Sequence, residues 1–327
     1  ELLRNKRNTD KTMIRKTFFI NKYDYGKNVV DLNEYVISFG TNCNLGCEYC
    51  YLKFSKTPNI PVIYQNYEKL EEEIKVLFSN SEKELFYFNL GETTDSLLTE
   101  KHFEILQKII ETISFLAKKY KKFCYIELRT KTNNILKLNK NLFFENTKVI
   151  YAPSLSLDET ITKFEHNTAT LNQRIESLKF AESLGFHLAV RLEPIIIYPI
   201  YGIKYEDIIF SIENIIEKYK NLIKLLIETI NLKKFHSITM STLRLTKKQF
   251  KILKEKKSKL CFFEMFLCPD GKFRYSRPIR TTIYNKIVEF VKSINEEILK
   301  KTLLSFEFDY IWQNCNLEIK KLTDIKI

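Results

Sequence analysis

Residues that interrupt regular structure are scarce in this sequence. It contains only seven glycines and seven prolines among 327 residues, so we expect few loops and no low-complexity tract. Long apolar runs are also lacking, because the longest candidate, FHLAVRLEPIIIYPIYGI, is broken by Arg191, Glu193 and two prolines. A transmembrane helix needs about 20 mostly apolar residues. The composition therefore predicts a folded chain without a membrane span, and its 44% hydrophobic residues suffice for a large core.

Cysteine is sparse, and its spacing argues against a disulfide framework. The chain has seven cysteines, an odd number, and three of them fall between residues 43 and 50. Disulfide-stapled domains carry even numbers of cysteines in short secreted chains. The N-terminal segment ELLRNKRNTDKTMIRK is charged and lacks the apolar stretch of a secretory signal. We therefore expect a cytoplasmic chain with reduced thiols.

Arginine is scarce although the chain is strongly basic. The formal net charge is +13 and the pI about 9.2, yet only 10 of the 53 basic residues are arginine. The charge favours a polyanionic partner such as DNA, but an AT-rich genome would give the same excess of lysine without any DNA-binding role. The distribution of arginine is more informative, because three lie close together at Arg274, Arg277 and Arg280.

Hydrophobic periodicity predicts alternating strands and helices across most of the chain. Strands are predicted over 34–40, 83–91, 123–131, 148–156, 186–196 and 235–245. Helices are predicted over 66–80, 97–120, 170–185 and 205–222, with a short helix at 138–143. Such alternation is typical of a parallel sheet with helical crossovers. The predicted fold class is α/β, a partial (β/α)6 barrel of the TIM type, in which active-site groups follow the strands.

The character of the sequence changes after about residue 250. A basic helix, KKQFKILKEKKSK, precedes the segment LCFFEMFLCPDGKFRYSRPIR, which is typical of a β-hairpin with its turn at 269–271. We therefore divide the chain into an N-terminal lead-in over 1–33, a partial barrel over 34–250 and a C-terminal extension over 251–327.

The stretch GTNCNLGCEYCYLKF holds three cysteines spaced C-x3-C-x2-C, at Cys43, Cys47 and Cys50. An iron–sulfur cube takes four ligands, so three thiolates leave one iron open to a substrate or cofactor. Two alternatives stay open: ordinary buried cysteines, or structural zinc with a distant fourth cysteine. That fourth ligand would be one of Cys124, Cys261, Cys268 and Cys315. The location after the first predicted barrel strand, with Tyr51 following, favours the cluster.

The cysteine spacing resembles the hallmark of the radical S-adenosylmethionine superfamily, and the wider sequence is similar to the spore photoproduct lyase family within it. The similarity covers residues 30–290. It is carried, in family order, by CEYCYL (47–52), TTDSLL (93–98), LRTK (128–131), SLSLDETITKFEHNTATLNQRIES (154–177), LRLTK (243–247) and GKFRYSRP (271–278). The cysteine spacing is specific for the superfamily, whereas the other segments persuade through their shared order.

The resemblance implies a reaction and its cofactors. Cys43, Cys47 and Cys50 would bind three irons of a [4Fe-4S] cluster, and the fourth iron would bind S-adenosylmethionine. Reduction by an electron donor such as flavodoxin or ferredoxin would release a 5′-deoxyadenosyl radical that abstracts a hydrogen atom, chemistry that belongs to the cofactor. The family acts as a carbon–carbon lyase on a methylene-bridged thymine dimer in DNA. We therefore expect a lyase that repairs a thymine-type DNA lesion.

The resemblance also implies roles for polar residues near the cluster. S-adenosylmethionine would be bound by Glu92, Thr93, Lys131, Ser154 and Ser156. Glu92 would face the cofactor amine and Lys131 its carboxylate, as charge-assisted pairs, although each could instead be an ordinary surface residue. Tyr49 and Tyr51 flank the last cluster cysteine. They would pass a hydrogen atom or an electron near the substrate, or simply pack beside the cluster.

Two charged pairs are assigned to structure rather than to catalysis. We expect Arg174 and Glu176, on a predicted helix, to brace the loop at 164–168. Arg191 and Glu193 flank a strand end, where we expect them to pair with each other, the alternative being that they reach the substrate.

A basic and aromatic hairpin is the candidate DNA contact. Its members are Lys272, Arg274, Tyr275, Arg277 and Arg280. Cations interleaved with an aromatic residue suit phosphate contacts and stacking on an extruded base, and the resemblance implies the same role. The alternative is a solvated basic hairpin without a ligand.

One position departs from the family. The lyase has a cysteine directly before its Thr-Ser-Asp stretch, which donates a hydrogen atom to the product radical, but this chain has Glu92 there. A carboxylic O–H bond is too strong for that role, so Cys124 in a neighbouring predicted strand is the candidate replacement. The departure keeps a second function open, a radical enzyme of the same fold acting on another nucleotide, a peptide or a small molecule. An auxiliary cluster would then use Cys261, Cys268 and Cys315. A third hypothesis is a non-catalytic nucleic-acid-binding protein with a structural metal.

Overall fold

The computed structural model, which describes residues 11–54, 60–138, 144–198 and 205–327, alternates strands with helices. The strands are β1 (Lys11–Met13), β2 (Ile20–Lys22), β3 (Tyr35–Ile37), β4 (Gly40–Thr41), β5 (Val62–Tyr64), β6 (Leu85–Asn89), β7 (Phe123–Thr130), β8 (Thr147–Pro153), β9 (His187–Ile195), β10 (Phe235–Thr242), β11 (Arg244–Thr246), β12 (Met265–Leu267), β13 (Lys272–Tyr275) and β14 (Thr302–Leu304). The α-helices are α1 (Tyr67–Ser79), α2 (Glu100–Lys119), α3 (Asp158–Phe164), α4 (Leu171–Ser183), α5 (Tyr205–Thr229), α6 (Lys247–Glu255), α7 (Arg277–Ile294), α8 (Glu296–Lys300) and α9 (Asp309–Asn314).

The largest sheet has eight strands in the order β14-β10-β9-β8-β7-β6-β3-β2. Neighbours from β3 through β14 run parallel, and β2 pairs antiparallel with β3. Strands β7 and β10 are buried along almost their whole length, as expected when both faces of a parallel sheet are covered. On one face α2 packs against β7 and β8, and α4 against β8 and β9. The curled sheet confirms the predicted partial (β/α) barrel.

Helix signals in the sequence locate most of the crossovers. Helix α4 begins with a reciprocal capping box between Thr170 and Gln173 and ends just before Gly185, whose φ of 86° is the left-handed conformation that favours glycine. Helix α5 extends beyond the predicted residue 222 to Thr229, because buried Ile223 and Leu226 continue its apolar face. The short helix predicted at 138–143 falls largely outside the described residues. None of the helices within the described ranges is long and apolar enough to cross a membrane.

Segments on both sides of the barrel join its sheet. Strand β2, from the predicted lead-in over 1–33, pairs with β3, and β14, from the predicted extension over 251–327, pairs with β10. The predicted hairpin is β12 and β13, with β11 as a third antiparallel strand. The boundary predicted at residue 250 falls inside α6. The flanking segments are therefore continuous with the barrel.

Candidate active site

A cavity of about 480 Å³ lies where the parallel strands end. Because the carboxyl ends of parallel strands meet at one edge, residues that follow different strands converge there. The contributions are Gly91 and Glu92 after β6, Thr130 and Lys131 at the end of β7, Ser154 after β8, Glu193 in β9 and Ser241 in β10. The cavity thus has the location expected for the active site of a barrel.

Cys43, Cys47 and Cys50 all line this cavity. Their loop turns sharply at Gly46, whose φ is 76°, and the Cys50 N–H donates to the Cys47 carbonyl at 3.2 Å. Burial raises the pKa of all three thiols, that of Cys47 to about 12. A bound cation would overcome this penalty, because metal-coordinated thiols are deprotonated.

The zinc alternative lacks a fourth cysteine at the cavity. In the part of the chain that the structure describes, no three His, Cys, Asp or Glu side chains are close enough to hold a single metal ion. The candidates for the fourth cysteine are all free and none lines the cavity: Cys124, Cys261, Cys268 and Cys315. A four-iron cluster places each thiolate on a separate iron, so it suits three cysteines around a cavity better than one tetrahedral ion does.

A buried carboxylate, Glu165, connects the cysteine loop to the strand ends. It accepts hydrogen bonds from the Tyr49 hydroxyl, from Ser156 at 2.7 Å and from the Arg174 guanidinium at 2.6 Å. The Lys131 Nζ lies 3.3 Å from the same carboxylate. Burial alone would raise the pKa of Glu165, but the nearby Lys131 and Arg174 cations lower it to about 2. The carboxylate is therefore ionised, and it fixes the Tyr49 phenol beside the cysteines.

Arg174 braces the loop at 164–168, whereas Glu176, which was predicted to act with it, is exposed. The Arg174 guanidinium donates to the Thr168 hydroxyl and to the Ser154 carbonyl, both at 2.7 Å, and to the Ala169 carbonyl at 2.9 Å. The side chain is fully buried. A buried cation with these partners is stabilised only as long as the network stays intact.

Glu92 lines the cavity as part of a second charged network. Its carboxylate accepts a hydrogen bond from Tyr23 at 2.9 Å and lies 3.9 Å from the Arg129 guanidinium. Burial raises the pKa of Glu92, and Arg129 opposes that rise. The Arg129 guanidinium also pairs with Glu34 at 3.0 Å and with Glu127 at 2.8 Å. Glu92 is thus held at the cavity by Tyr23 and Arg129, within a network that also includes Glu34 and Glu127.

Gly91 allows Glu92 to approach the neighbouring strand. A Cβ atom at this position would lie 2.4 Å from the Cβ of Arg129 and 2.8 Å from its carbonyl oxygen. Any larger residue would therefore push β6 away from β7 and move Glu92 from the cavity.

The structure corrects the prediction that Arg191 pairs with Glu193. The Arg191 guanidinium instead binds Glu127 on β7, and it donates to the hydroxyl of Tyr87 at 3.1 Å. Glu193 accepts a hydrogen bond from Thr239. In a strand, residues two apart point to the same face, but Glu127 lies across the barrel interior and offers Arg191 a fully buried partner.

Two of the predicted cofactor-binding residues form hydrogen bonds within the protein. The Thr93 hydroxyl donates to the Gly40 carbonyl at 2.7 Å, and Thr93 does not line the cavity. Ser156 is fully buried and donates to Glu165. Thr93 and Ser156 therefore stabilise the structure behind the cavity wall and are not on the surface of the cavity. Of the predicted set, Glu92, Lys131 and Ser154 do line the cavity.

Cys124 does not reach the cavity. It is the second residue of β7 and is fully buried, whereas Thr130 and Lys131 at the other end of that strand line the cavity. At about 3.3 Å per residue, six residues separate Cys124 from the cavity by roughly 20 Å. The predicted replacement for the missing hydrogen donor is therefore wrong, since no substrate in the cavity could approach this thiol.

Three of the predicted DNA-contacting residues are inside the protein. Arg274 pairs with Asp270 at 2.5 Å, Arg280 pairs with Glu307, and the hydroxyl of Tyr275 accepts the Ile197 N–H at 3.1 Å. All three side chains are at most 2% exposed. Their role is to hold the hairpin on the barrel, and they cannot touch DNA while the protein is folded. Two others remain accessible, because Lys272 lines the cavity and Arg277 is exposed beside the Tyr310 ring.

An aromatic wall of the cavity is not apparent in the sequence. Tyr23 and Phe306 line it, with ring centroids 5.6 Å apart, and Tyr25 packs on both rings. The Arg244 guanidinium lies 3.3 Å from the centre of the Phe306 ring. These residues come from segments far apart in sequence, so no local pattern could have joined them. Glu127 was detectable, because a carboxylate inside the apolar strand FCYIELRT requires a buried partner.

Comparison with known proteins identifies a family for this chain. A family model described as spore photoproduct lyase matches residues 1–298. The spore photoproduct lyase of Bacillus subtilis is 26% identical over 197 residues, which is 60% of this chain and 54% of that protein. The corresponding lyase of Clostridium acetobutylicum is 23% identical over 177 residues, 54% of this chain and 50% of that protein. The chain thus spans about half the length of the curated relatives it matches.

Solved structures share the fold. A cysteine-to-alanine variant of spore photoproduct lyase superposes with a TM-score of 0.68 at 18% identity, over 91% of this chain and 81% of that one. A spore photoproduct lyase complexed with dinucleoside spore photoproduct gives 0.65, and a double variant with bound AdoMet and the same dinucleoside gives 0.64, with the same identity and coverage. Since the family model covers most of the sequence, this chain belongs to the spore photoproduct lyase family.

Proposed function

We propose that the protein is a radical S-adenosylmethionine lyase that repairs a thymine-type lesion in DNA. One observation carries the proposal: Cys43, Cys47 and Cys50 line the same cavity as Glu92 and Lys131, at the carboxyl edge of a parallel barrel. A relative of the same fold has been solved with AdoMet and dinucleoside spore photoproduct. Family membership supports the same substrate class here.

The residues present fit the implied cofactors. The three cysteines would hold three irons of a [4Fe-4S] cluster. Glu92 would bind the amine of S-adenosylmethionine and Lys131 its carboxylate, each as a charge-assisted pair, with Ser154 beside them. When bound, these groups supply the radical that abstracts hydrogen from the substrate.

The residues of the chain orient the polar groups of the cavity and shield the cavity from water. The charges around Glu165 and Arg129 are matched by buried partners, so the polar groups of the cavity wall are oriented before any ligand arrives, which avoids reorganisation during the reaction. The aromatic wall at Tyr23 and Phe306 excludes water from one side. Both effects favour radical chemistry, because a shielded radical is protected from side reactions.

The final hydrogen donor would be a phenol. Glu92 stands where the family has its donor cysteine, and Cys124 is too distant. Tyr49 and Tyr51 both line the cavity. The Tyr51 hydroxyl donates to the Glu92 carbonyl at 2.9 Å and its side chain is 45% exposed, so Tyr51 is the more accessible of the two.

Binding of DNA would rest on fewer residues than the sequence indicated. Lys272, which lines the cavity, and Arg277, which is exposed, would supply the phosphate contacts. The remaining partner is a one-electron donor such as flavodoxin or ferredoxin.

The test is an anaerobic turnover experiment. The protein is reconstituted with iron and sulfide and mixed with dithionite, S-adenosylmethionine and a dinucleotide that carries the spore photoproduct. Chromatography follows 5′-deoxyadenosine and repaired thymine. We expect both products. 5′-Deoxyadenosine without repaired thymine would keep the radical enzyme and reject this substrate, and the absence of both from a protein with an intact cluster would reject the catalytic proposal.

A further inference from the structure

A second concave surface lies beside the cysteine loop. This cleft has a volume of about 740 Å³ and is separate from the active-site cavity. Five exposed lysines surround it, and we call it the lysine cleft: Lys53, Lys163, Lys248, Lys256 and Lys259. Its floor is apolar and is formed by Phe54, Phe164, Ile252 and Leu253. An apolar centre with a charged rim is the usual composition of a protein–protein interface.

The charged side chains that line the lysine cleft are almost all cations. Within the described residues its only acidic lining residue is Glu48, which is already bound to His166 at 3.0 Å. Burial lowers the pKa of Lys163, and the nearby Lys259 ammonium lowers it further, so the cations repel one another. This surface is therefore complementary to an acidic partner.

The lysine cleft shares a wall with the cluster site. Glu48 lies between Cys47 and Cys50, and the Lys53 N–H donates to the Cys50 carbonyl at 3.1 Å. Helix α6 completes the wall, because Gln249 lines the cavity whereas Lys248 and Ile252 line the cleft. A partner in the cleft would thus contact the cysteine loop from the side opposite to the substrate.

We propose that the lysine cleft docks a small acidic one-electron carrier protein, which passes its electron to the cluster through the cysteine loop. The carrier is oxidised by one electron and the cluster is reduced by one. The inference rests on the proposed function and adds the surface at which its reductant binds. Redox encounters use small interfaces that form and dissociate quickly, and lysine, a flexible and strongly hydrated cation, suits such an encounter.

DNA fits the cleft less well. A base must enter the cavity to react, and the cleft lies behind the wall that separates it from that cavity. Its cations are all lysine, whereas planar recognition of phosphate favours arginine. Binding of DNA to the cleft is therefore the competing result that the test must distinguish.

The test compares two triple variants with the same change in charge. One replaces Lys248, Lys256 and Lys259 with Glu, and the control replaces Lys101, Lys224 and Lys292, which are exposed lysines outside the cleft. Fluorescence anisotropy measures binding of labelled flavodoxin, and separately of a double-stranded oligonucleotide, to the reconstituted protein. Stopped-flow absorbance follows cluster reduction by flavodoxin hydroquinone and by dithionite.

We expect the cleft variant to lose about tenfold or more in flavodoxin affinity and the control about twofold. Cluster reduction by flavodoxin should slow in proportion, while reduction by dithionite and binding of the oligonucleotide stay unchanged. Raising the salt concentration should weaken the wild-type complex. A triple Lys→Gln variant of the cleft removes the charge without reversing it and should give an intermediate loss of flavodoxin affinity. This variant tests the proposal if the Glu variant does not fold.

Three results would overturn the proposal. The wild type does not bind flavodoxin at low salt, the cleft and control variants lose equal affinity, or the cleft variant loses the oligonucleotide and keeps flavodoxin. Failure of the proposed function would be distinguished by another measurement. The protein reduced with dithionite would then form no 5′-deoxyadenosine, whereas flavodoxin binding is measured independently of catalysis.

Discussion

Replacing Glu165 with Gln tests the buried network that orients Tyr49. The substitution keeps the shape of the side chain and removes its charge, so Arg174 and Lys131 lose their anionic partner. The pKa of Glu165 is about 2 against an ordinary value of 4.5, a difference that corresponds to roughly 3 kcal/mol of unfolding free energy at neutral pH. Removal of one member of a buried ion pair costs a similar amount, about 3–5 kcal/mol.

The pH dependence makes this prediction specific. Since the pKa is lowered in the folded state, the stabilisation is complete above the unfolded pKa near 4.5 and is lost as the pH falls towards 2. Between pH 7 and pH 3 about 2 kcal/mol of it should vanish. The gap between wild type and Glu165→Gln should shrink by that amount.

Urea unfolding of the apo protein, followed by circular dichroism at pH 7, 5, 4 and 3, measures the gap. Glu159→Gln is the matched control, because Glu159 pairs with Lys218 at the surface, where solvent screens the interaction. The control should differ little from wild type at any pH. A destabilisation by Glu165→Gln that is equal at pH 7 and pH 3 would refute the electrostatic reasoning and leave packing as the cause.

Three further predictions concern the metal, the donor and the hairpin. Cys47→Ala should lose the cluster, with iron per chain falling to near zero by colorimetric assay, whereas Cys124→Ala should keep a full complement; equal iron in both would contradict the assignment of the ligands. Tyr51→Phe should form 5′-deoxyadenosine at the wild-type rate but release less repaired thymine, because the phenolic hydrogen atom is gone, and unchanged repair would exclude this phenol as donor. Arg274→Met should lower the unfolding free energy, measured by urea unfolding, by about 3–5 kcal/mol. Arg277→Ala should leave the unfolding free energy unchanged and weaken oligonucleotide binding, measured by fluorescence anisotropy. The reverse pattern would contradict the assignment of Arg274 to the protein interior and of Arg277 to the DNA surface.

The sequence predicted what short-range patterns encode. Apolar periodicity predicted six of the seven parallel strands of the large sheet, and the turn at Gly271 predicted the hairpin formed by β12 and β13. Five of the nine α-helices in the described residues were predicted, whereas β14, α3, α7, α8 and α9 were missed. The spacing of the cysteines predicted their convergence on one site. Each of these features depends on residues that are neighbours along the chain.

Partners distant in sequence were not predictable in this way. Arg280 looks like an exposed cation in the sequence, but it is buried and pairs with the distant Glu307. Arg274 pairs with the nearby Asp270, and its burial also involves the distant Phe306 carbonyl and Phe308 ring. Cys124 is a different case, because the predicted strand over 123–131 already placed it near the start, away from the edge where active-site groups follow the strands. For the two arginines, a local pattern gives the type of the side chain and the tertiary fold decides which residues it contacts.

The pairing of β14 with β10 and of β2 with β3 limits how the chain can be shortened. A fragment trimmed to the predicted barrel, 34–250, would leave the backbone N–H and C=O groups of two strands open to solvent. Open strand edges are templates for pairing between molecules. Such a fragment should therefore aggregate rather than form a smaller version of the fold, and a useful minimal unit must extend through Leu304.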